Sequence, residues 1–290
     1  RRAFSWLRHR SATGAPQSAV MLEVSKAGEP IEQGRDAPMK STLLTLAMTG
    51  LSLAMVLPAT AKPAPITAPT AGSVHSYILL DRTGSMSGIW DEALMSVNAY
   101  AASVGEADEG EIEGADIKTA VTLAVFDYQE SLQFDVLRKD VPAENWTEVT
   151  NDEANPRGMT PLFDAIGRVV SLAEADKPEK AVIVIMTDGH ENSSKEITRD
   201  GAKAALDRAK ANGWEVVFLG AEFASFGDAD AVGMSASKTM AVGQGRMQDS
   251  MSALAKKSRA YGKGEEAEIV FDKADRAVAD EEGVKERKGQ

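Results

Sequence analysis

This 290-residue chain is predicted to be an α/β protein with a doubly wound, mostly parallel sheet flanked by helices. Three observations carry that prediction. Short apolar runs alternate with segments of helical period from about residue 74 to residue 260. One run, Ala181-Val182-Ile183-Val184-Ile185-Met186, is apolar throughout, as a parallel strand covered on both faces must be. Carboxylates stand directly beyond two of the runs, Asp81 after the first and Asp188 after the most apolar. In such sheets ligands bind at the C-terminal ends of the strands.

Taken in order, Ser76–Leu80 reads as the first strand. Trp90 to about Val104 reads as a helix, because Trp90, Leu94, Val97 and Ala101 recur near the 3.6 period. A Gly- and acid-rich loop covers 105–115. Ile117–Phe126, dense in Val, Thr and Ala, is the second strand, with Ser131–Val136 as its hairpin partner. Thr160–Ala175 is a helix whose buried face holds Leu162, Ile166, Val169, Val170 and Leu172. The strand Ala181–Met186 leads to a helix over Ile197–Asn212, closed by Gly213, and then to a buried strand, Trp214–Leu219. A helix or turn is expected within 228–241 and a helix over Arg246–Ala260, where Met247, Met251 and Leu254 share one face. Met234 and Met240, with Met247 and Met251, read as core filler. Residues 261–290 read as a charged, poorly ordered tail whose one apolar segment is Ile269-Val270-Phe271.

The N-terminal part has a different character. Met39-Lys40 precedes an apolar run from Leu43 to Leu57, then Pro58-Ala59-Thr60-Ala61. A basic start, a short apolar middle and a small-x-small site are the layout of a secretory signal peptide over 39–61, cleaved after Ala61. The run is shorter than the roughly 20 residues a membrane-spanning helix needs. Residues 1–38, with four arginines in the first ten, read as an extension upstream of the natural start. Residues 62–73 form a Pro-rich linker, and the folded domain is expected over 74–260. These features predict a periplasmic or secreted protein with no stable membrane span after cleavage.

Composition narrows the function. The chain has no cysteine, which removes disulfides, thiolate metal sites and cysteine nucleophiles. Beyond residue 61 it holds 25 basic and 40 acidic residues, a formal charge of −15. Such a surface disfavours nucleic acid and anionic lipid and suits cations or a basic partner.

Five oxygen-bearing residues stand at strand ends or helix starts. Asp81, Thr83 and Ser85 alternate along the turn after the first strand, Thr160 precedes Pro161, and Asp188 lies in Thr187-Asp188-Gly189. Singly, each has a structural reading. Ser85 or Ser87 could cap the next helix, Asp81 could accept turn amides, Thr160 could be an N-cap, and Asp-Gly is a common turn. Together, three loops on one sheet edge offer two carboxylates and three hydroxyls. That all-oxygen set suits Mg²⁺ or Mn²⁺, and Ca²⁺ at a looser site. His75 and His190 are too isolated for a zinc motif and read as surface or loop residues. Trp90, Asp91 and Glu92 read as a first helical turn rather than a binding rim.

In these motifs the chain resembles the von Willebrand factor type A domain, the integrin I-like, Rossmann-like three-layer fold with a metal-ion-dependent adhesion site. The family pattern is Asp-x-Ser-x-Ser, a threonine on a second loop, and an aspartate, often in Thr-Asp-Gly. Here Asp81-Arg82-Thr83-Gly84-Ser85 carries Thr83 where the family has its first serine. Thr160 and Asp188 match the other two elements. The resemblance implies a metal held directly by Thr83 and Ser85, directly or through water by Thr160, and partly through water by Asp81 and Asp188. It implies binding of a protein partner that donates an acidic side chain to the cation. Two other readings stay open: a metal-assisted hydrolase at the same site, and a domain in which the metal is only structural. Against the hydrolase, Ser85 lacks a Gly-x-Ser-x-Gly elbow and no general base is evident beside the site.

Overall fold

The computed structural model describes residues 72–106, 117–222 and 226–288, all within the second of the chain's two units, Ala64–Gln290. The expected upstream extension, the signal peptide and all but the end of the linker lie outside the described residues, as does most of the 105–115 loop.

The first strand, β1 (Ser73–Asp81), leads through a short 3-10 turn, Gly84–Gly88, into α1 (Trp90–Gly105). Next come β2 (Lys118–Gln129), β3 (Ser131–Pro142), α2 (Leu162–Asp176), β4 (Ala181–Thr187), α3 (Arg199–Ala211) and β5 (Glu215–Ala221). The chain continues with α4 (Gly227–Ala231), β6 (Thr239–Val242), α5 (Met247–Lys263), α6 (Lys273–Val278) and α7 (Glu281–Lys288). The six strands form one sheet in the order β3-β2-β1-β4-β5-β6, parallel except for the β2–β3 hairpin. This is the predicted α/β architecture.

Alternation along the central strands explains the unbroken apolar runs. Ile78 and Leu80 of β1, with Val182, Val184 and Met186 of β4, face one core shared with Val97, Tyr100, Met251 and Leu254 of α1 and α5. Tyr77 and Leu79, with Ile183 and Ile185, face a second core shared with Ile166, Val170 and Leu206 of α2 and α3. Both faces are covered, so period-2 alternation leaves few polar positions, His75 and Ser76 of β1 among them. Each fully buried aliphatic side chain contributes about 1.5–3 kcal/mol over exposure.

Strand register also sets the functional edge. Leu80 lies level with Met186 of β4 and Val125 of β2, so Asp81, Thr187 and Phe126-Asp127 emerge together.

The helix or turn expected within 228–241 is present as α4, and the same segment adds a sixth strand, β6. The structure corrects two sequence expectations. Residues 261–290 are not a loose tail, because α5 extends to Lys263 and α6 and α7 follow. Asp272 and Asp275 form a reciprocal capping box at α6. Ile269, Phe271, Ala279 and Val284 are buried, and Glu281 accepts the Ala241 amide of β6. The second correction concerns His75. It is buried on β1, its ring stacked on Tyr77 at 4.2 Å and its Nε2 2.8 Å from Thr122 Oγ1. The methionines at 234, 240, 247 and 251 are buried in the core, as expected. Among the described residues, no helix is long and apolar enough to cross a membrane.

Candidate metal centre

Asp81 ends β1 fully buried, and both its oxygens are engaged. The Thr83 amide donates to Oδ1 at 2.7 Å and the Thr187 hydroxyl donates to Oδ2 at 2.6 Å. Thr187 is the last residue of β4, so this bond ties the two central strands together at the edge. It also fixes where the turn after β1 begins.

That turn presents its hydroxyls in a row. Thr83 Oγ1 lies 3.1 Å from Ser85 Oγ, and Ser85 donates to Asp188 Oδ1 at 2.7 Å. From the third loop, Thr160 donates to Thr83 Oγ1 at 3.3 Å. The structure thus brings together all five sequence-predicted residues, with Thr83 and Thr160 buried and Ser85 exposed.

The structural readings of these residues fare unevenly. Asp81 does accept a turn amide. Neither Ser85 nor Ser87 caps α1, whose N-cap position is Ile89, and Ser87 instead donates to Gly84 O at 2.7 Å. Thr160 does not cap α2, whose N-cap position is Pro161 without a side-chain bond. Asp91 and Glu92 sit in the first turn of α1, bound to Asn151 and to the Met247 amide. His190 is exposed, its Nδ1 3.0 Å from Asp228 Oδ2.

Several supporting residues escaped the sequence reading. Asn192 makes a reciprocal pair with Thr160: its Oδ1 accepts the Thr160 amide at 2.9 Å, and its amide donates to Thr160 O at 3.0 Å. Glu191 accepts the amides of Phe163, Ser193 and Ser194, folding the loop after β4 onto the start of α2. Arg82, Asp127 and Arg157 form an ion-paired group behind the hydroxyls. Thr187 had a signal in Thr-Asp-Gly, but the others had none.

The donor set fits a hard divalent cation. Burial pushes the Asp81 carboxyl up to about 7, against the hydrogen bonds from Thr187 and Thr83, and the nearby Asp188 carboxylate pushes the same way. A carboxyl so placed faces hydroxyls and a second carboxylate, an arrangement that a positive ion would relieve. Among the described residues, no group of three or more His, Cys, Asp or Glu could hold a metal.

No family model and no curated protein matches the chain. Solved structures do. The pilus adhesin SpaC from Lactobacillus rhamnosus GG aligns with a TM-score of 0.53 at 14% identity, over 66% of this chain and 31% of that one. Its open conformation gives 0.52 at the same identity. The chain therefore spans about a third of the length of that adhesin. The vWF domain of the type V pili tip protein Mfa5 from Porphyromonas gingivalis aligns with a TM-score of 0.46 at 11% identity, over 65% of this chain and 95% of that one. At such identities likeness establishes fold alone. What the chain shares with the SpaC adhesin is its α/β fold, over 66% of this chain's own length.

Proposed function

We propose that this chain is a secreted or periplasmic adhesion-type binding protein that engages a protein partner through a divalent cation. The observation that carries the reading is the row Asp188–Ser85–Thr83–Thr160, in which three loops place hydroxyl and carboxylate oxygens within hydrogen-bond distance of one another on one sheet edge. In this reading Thr83 and Ser85 would ligate directly, Thr160 directly or through water, and Asp81 and Asp188 partly through water. Mg²⁺ is the first choice, with Mn²⁺ or Ca²⁺ as alternatives. When bound, the cation supplies an open coordination position for an aspartate or glutamate of the partner.

The chain's own residues do the positioning. Asp81 holds Thr83 through its amide, Thr187 holds Asp81, and Asn192 holds Thr160. Pilus adhesion by the SpaC protein supports a role at the cell exterior, as does the expected signal peptide over 39–61. A binding role is favoured over hydrolysis because Ser85 donates its hydroxyl to Asp188 at 2.7 Å and His190 Nδ1 lies 3.0 Å from Asp228 Oδ2.

The test is a pull-down with the full chain from envelope extract, beside calorimetry of Mg²⁺ binding. A protein should be captured in Mg²⁺ and lost in EDTA or with Asp81→Ala. Capture indifferent to both would overturn the reading.

A further inference from the structure

The end of β2 touches both hydroxyl-bearing loops. Arg82 N donates to Phe126 O at 3.1 Å, and Tyr128 and Met159 exchange backbone bonds at 3.0 and 3.2 Å. Between these contacts stands Asp127, fully buried. Its Oδ1 accepts Arg82 Nε at 2.6 Å and its Oδ2 accepts Arg157 Nε at 3.2 Å. Arg82 directly precedes Thr83, and Arg157 lies on the loop that carries Thr160.

The same two loops are bonded directly to each other. Arg157 N donates to Arg82 O at 2.8 Å and Gly84 N donates to Gly158 O at 3.2 Å. Gly158 has φ of 71°, and a Cβ there would stand 2.4 Å from Tyr128 O and 3.0 Å from Asp127 Oδ2. Only glycine permits that approach. An apolar cluster of similar volume would hold the loops as firmly as a buried carboxylate between two guanidiniums. The charged group therefore points to geometry, since paired guanidinium–carboxylate contacts fix direction as well as distance.

We propose that Asp127 is a positioning residue of the metal seat. By binding Arg82 and Arg157 with one carboxylate, it fixes the separation of Thr83 and Ser85 from Thr160 and sizes the seat for a small cation. The proposal rests on the cation-binding reading given above. Mg²⁺ demands a near-ideal octahedron at short distance, whereas Ca²⁺ accepts longer and more variable bonds. Releasing the loops must therefore cost Mg²⁺ more than Ca²⁺, a selectivity that a merely structural residue would not alter.

The experiment is calorimetry of Mg²⁺ and of Ca²⁺ with the full chain, its Asp127→Asn and Arg157→Gln variants, and Asp207→Asn as control. Asp207 pairs with Lys203 along α3 and is half exposed. Removal of such outer supports typically costs about 10–100-fold in metal affinity. Mg²⁺ affinity should fall by that order in Asp127→Asn, with a smaller fall in Arg157→Gln. Ca²⁺ affinity should fall less in both, and Asp207→Asn should match the parent. If Asp127→Asn does not fold, Arg157→Gln decides, because Arg157 is 44% exposed and its loss leaves the core intact. An unchanged Mg²⁺-to-Ca²⁺ ratio in the folded variants overturns the positioning role alone. A parent chain that binds neither cation overturns the cation reading as well.

Discussion

Gly189 separates the stability of the proposed metal edge from its binding capacity. Its amide donates to Thr187 Oγ1 at 3.2 Å, and a Cβ at this position would lie 3.7 Å from both Ser85 Oγ and Thr160 Oγ1. That is ordinary van der Waals contact, and Gly189 is not among the positive-φ glycines. Gly189→Ala should therefore stabilise the metal-free protein by about 0.4–1 kcal/mol, by restricting the unfolded chain. The added methyl stands against two proposed ligand oxygens, and a tenfold loss of Mg²⁺ affinity is expected, about 1.4 kcal/mol. At a Mg²⁺ concentration of about 100 times the parent Kd, binding adds about 2.7 kcal/mol to the parent and about 1.4 kcal/mol to the variant. The variant should be the more stable protein in EDTA and the less stable, by about 0.3–0.9 kcal/mol, in Mg²⁺. Urea titration followed by the fluorescence of buried Trp90 and Trp214 reads both conditions. Destabilisation in EDTA would refute the backbone argument. An equal gain from Mg²⁺ in both proteins would refute a seat between Ser85 and Thr160.

Three other perturbations test the surrounding structure. The buried Tyr100 hydroxyl bridges Ser76 Oγ at 2.7 Å and Ser258 Oγ at 2.9 Å, so Tyr100→Phe should cost about 1–3 kcal/mol in urea. Adding Ser76→Ala should return part of that loss, and strictly additive costs would contradict the bridge. Burial holds His75 below its usual 6.5, opposed by Asp140 and Asp176, so the folded state takes up a proton less readily than the unfolded chain. Stability should fall as pH drops through 6.5 toward the depressed folded value, more steeply in the parent than in His75→Gln, and equal slopes from pH 7.5 to 5.5 would remove His75 as the cause. Phe271→Ala should cost about 3–5 kcal/mol because the ring is buried, and a negligible change on thermal melting would return 261–290 to the status of a loose tail.

The elements most legible in the sequence are those buried on both faces. β1, β4 and β5 announce themselves as apolar runs because α-helices cover both sides of the sheet. β6 offers only Thr239-Met240-Ala241-Val242, too short for a period, and its strand character comes from pairing with Phe218–Ala221. The C-terminal helices were hidden by composition. Their apolar anchors, Ile269, Phe271, Ala279 and Val284, are scattered among charged residues, many of which are paired in the fold, such as Arg276 with Glu281. Charge density by itself cannot separate a solvated tail from a docked one whose charges find partners.

The candidate ligands were legible for the opposite reason, since each stands beside a strand or helix start that the pattern identifies. Their supports were not, because each acts across a long stretch of chain: Asn192 on Thr160 over 32 residues, Asp127 on Arg82 over 45. Thr160 shows what this difference does to inference. From sequence, a threonine before the proline of a helix start is most simply a cap. In the fold, the first amides of α2 are taken by others: Phe163 N donates to Glu191 Oε2 at 2.9 Å and Asp164 N to Ser194 Oγ at 3.1 Å. The loop after β4 thus performs the capping that Thr160 would otherwise supply. Relieved of that role, the Thr160 hydroxyl turns toward Thr83, where it joins the row of oxygens on which the proposed metal seat depends.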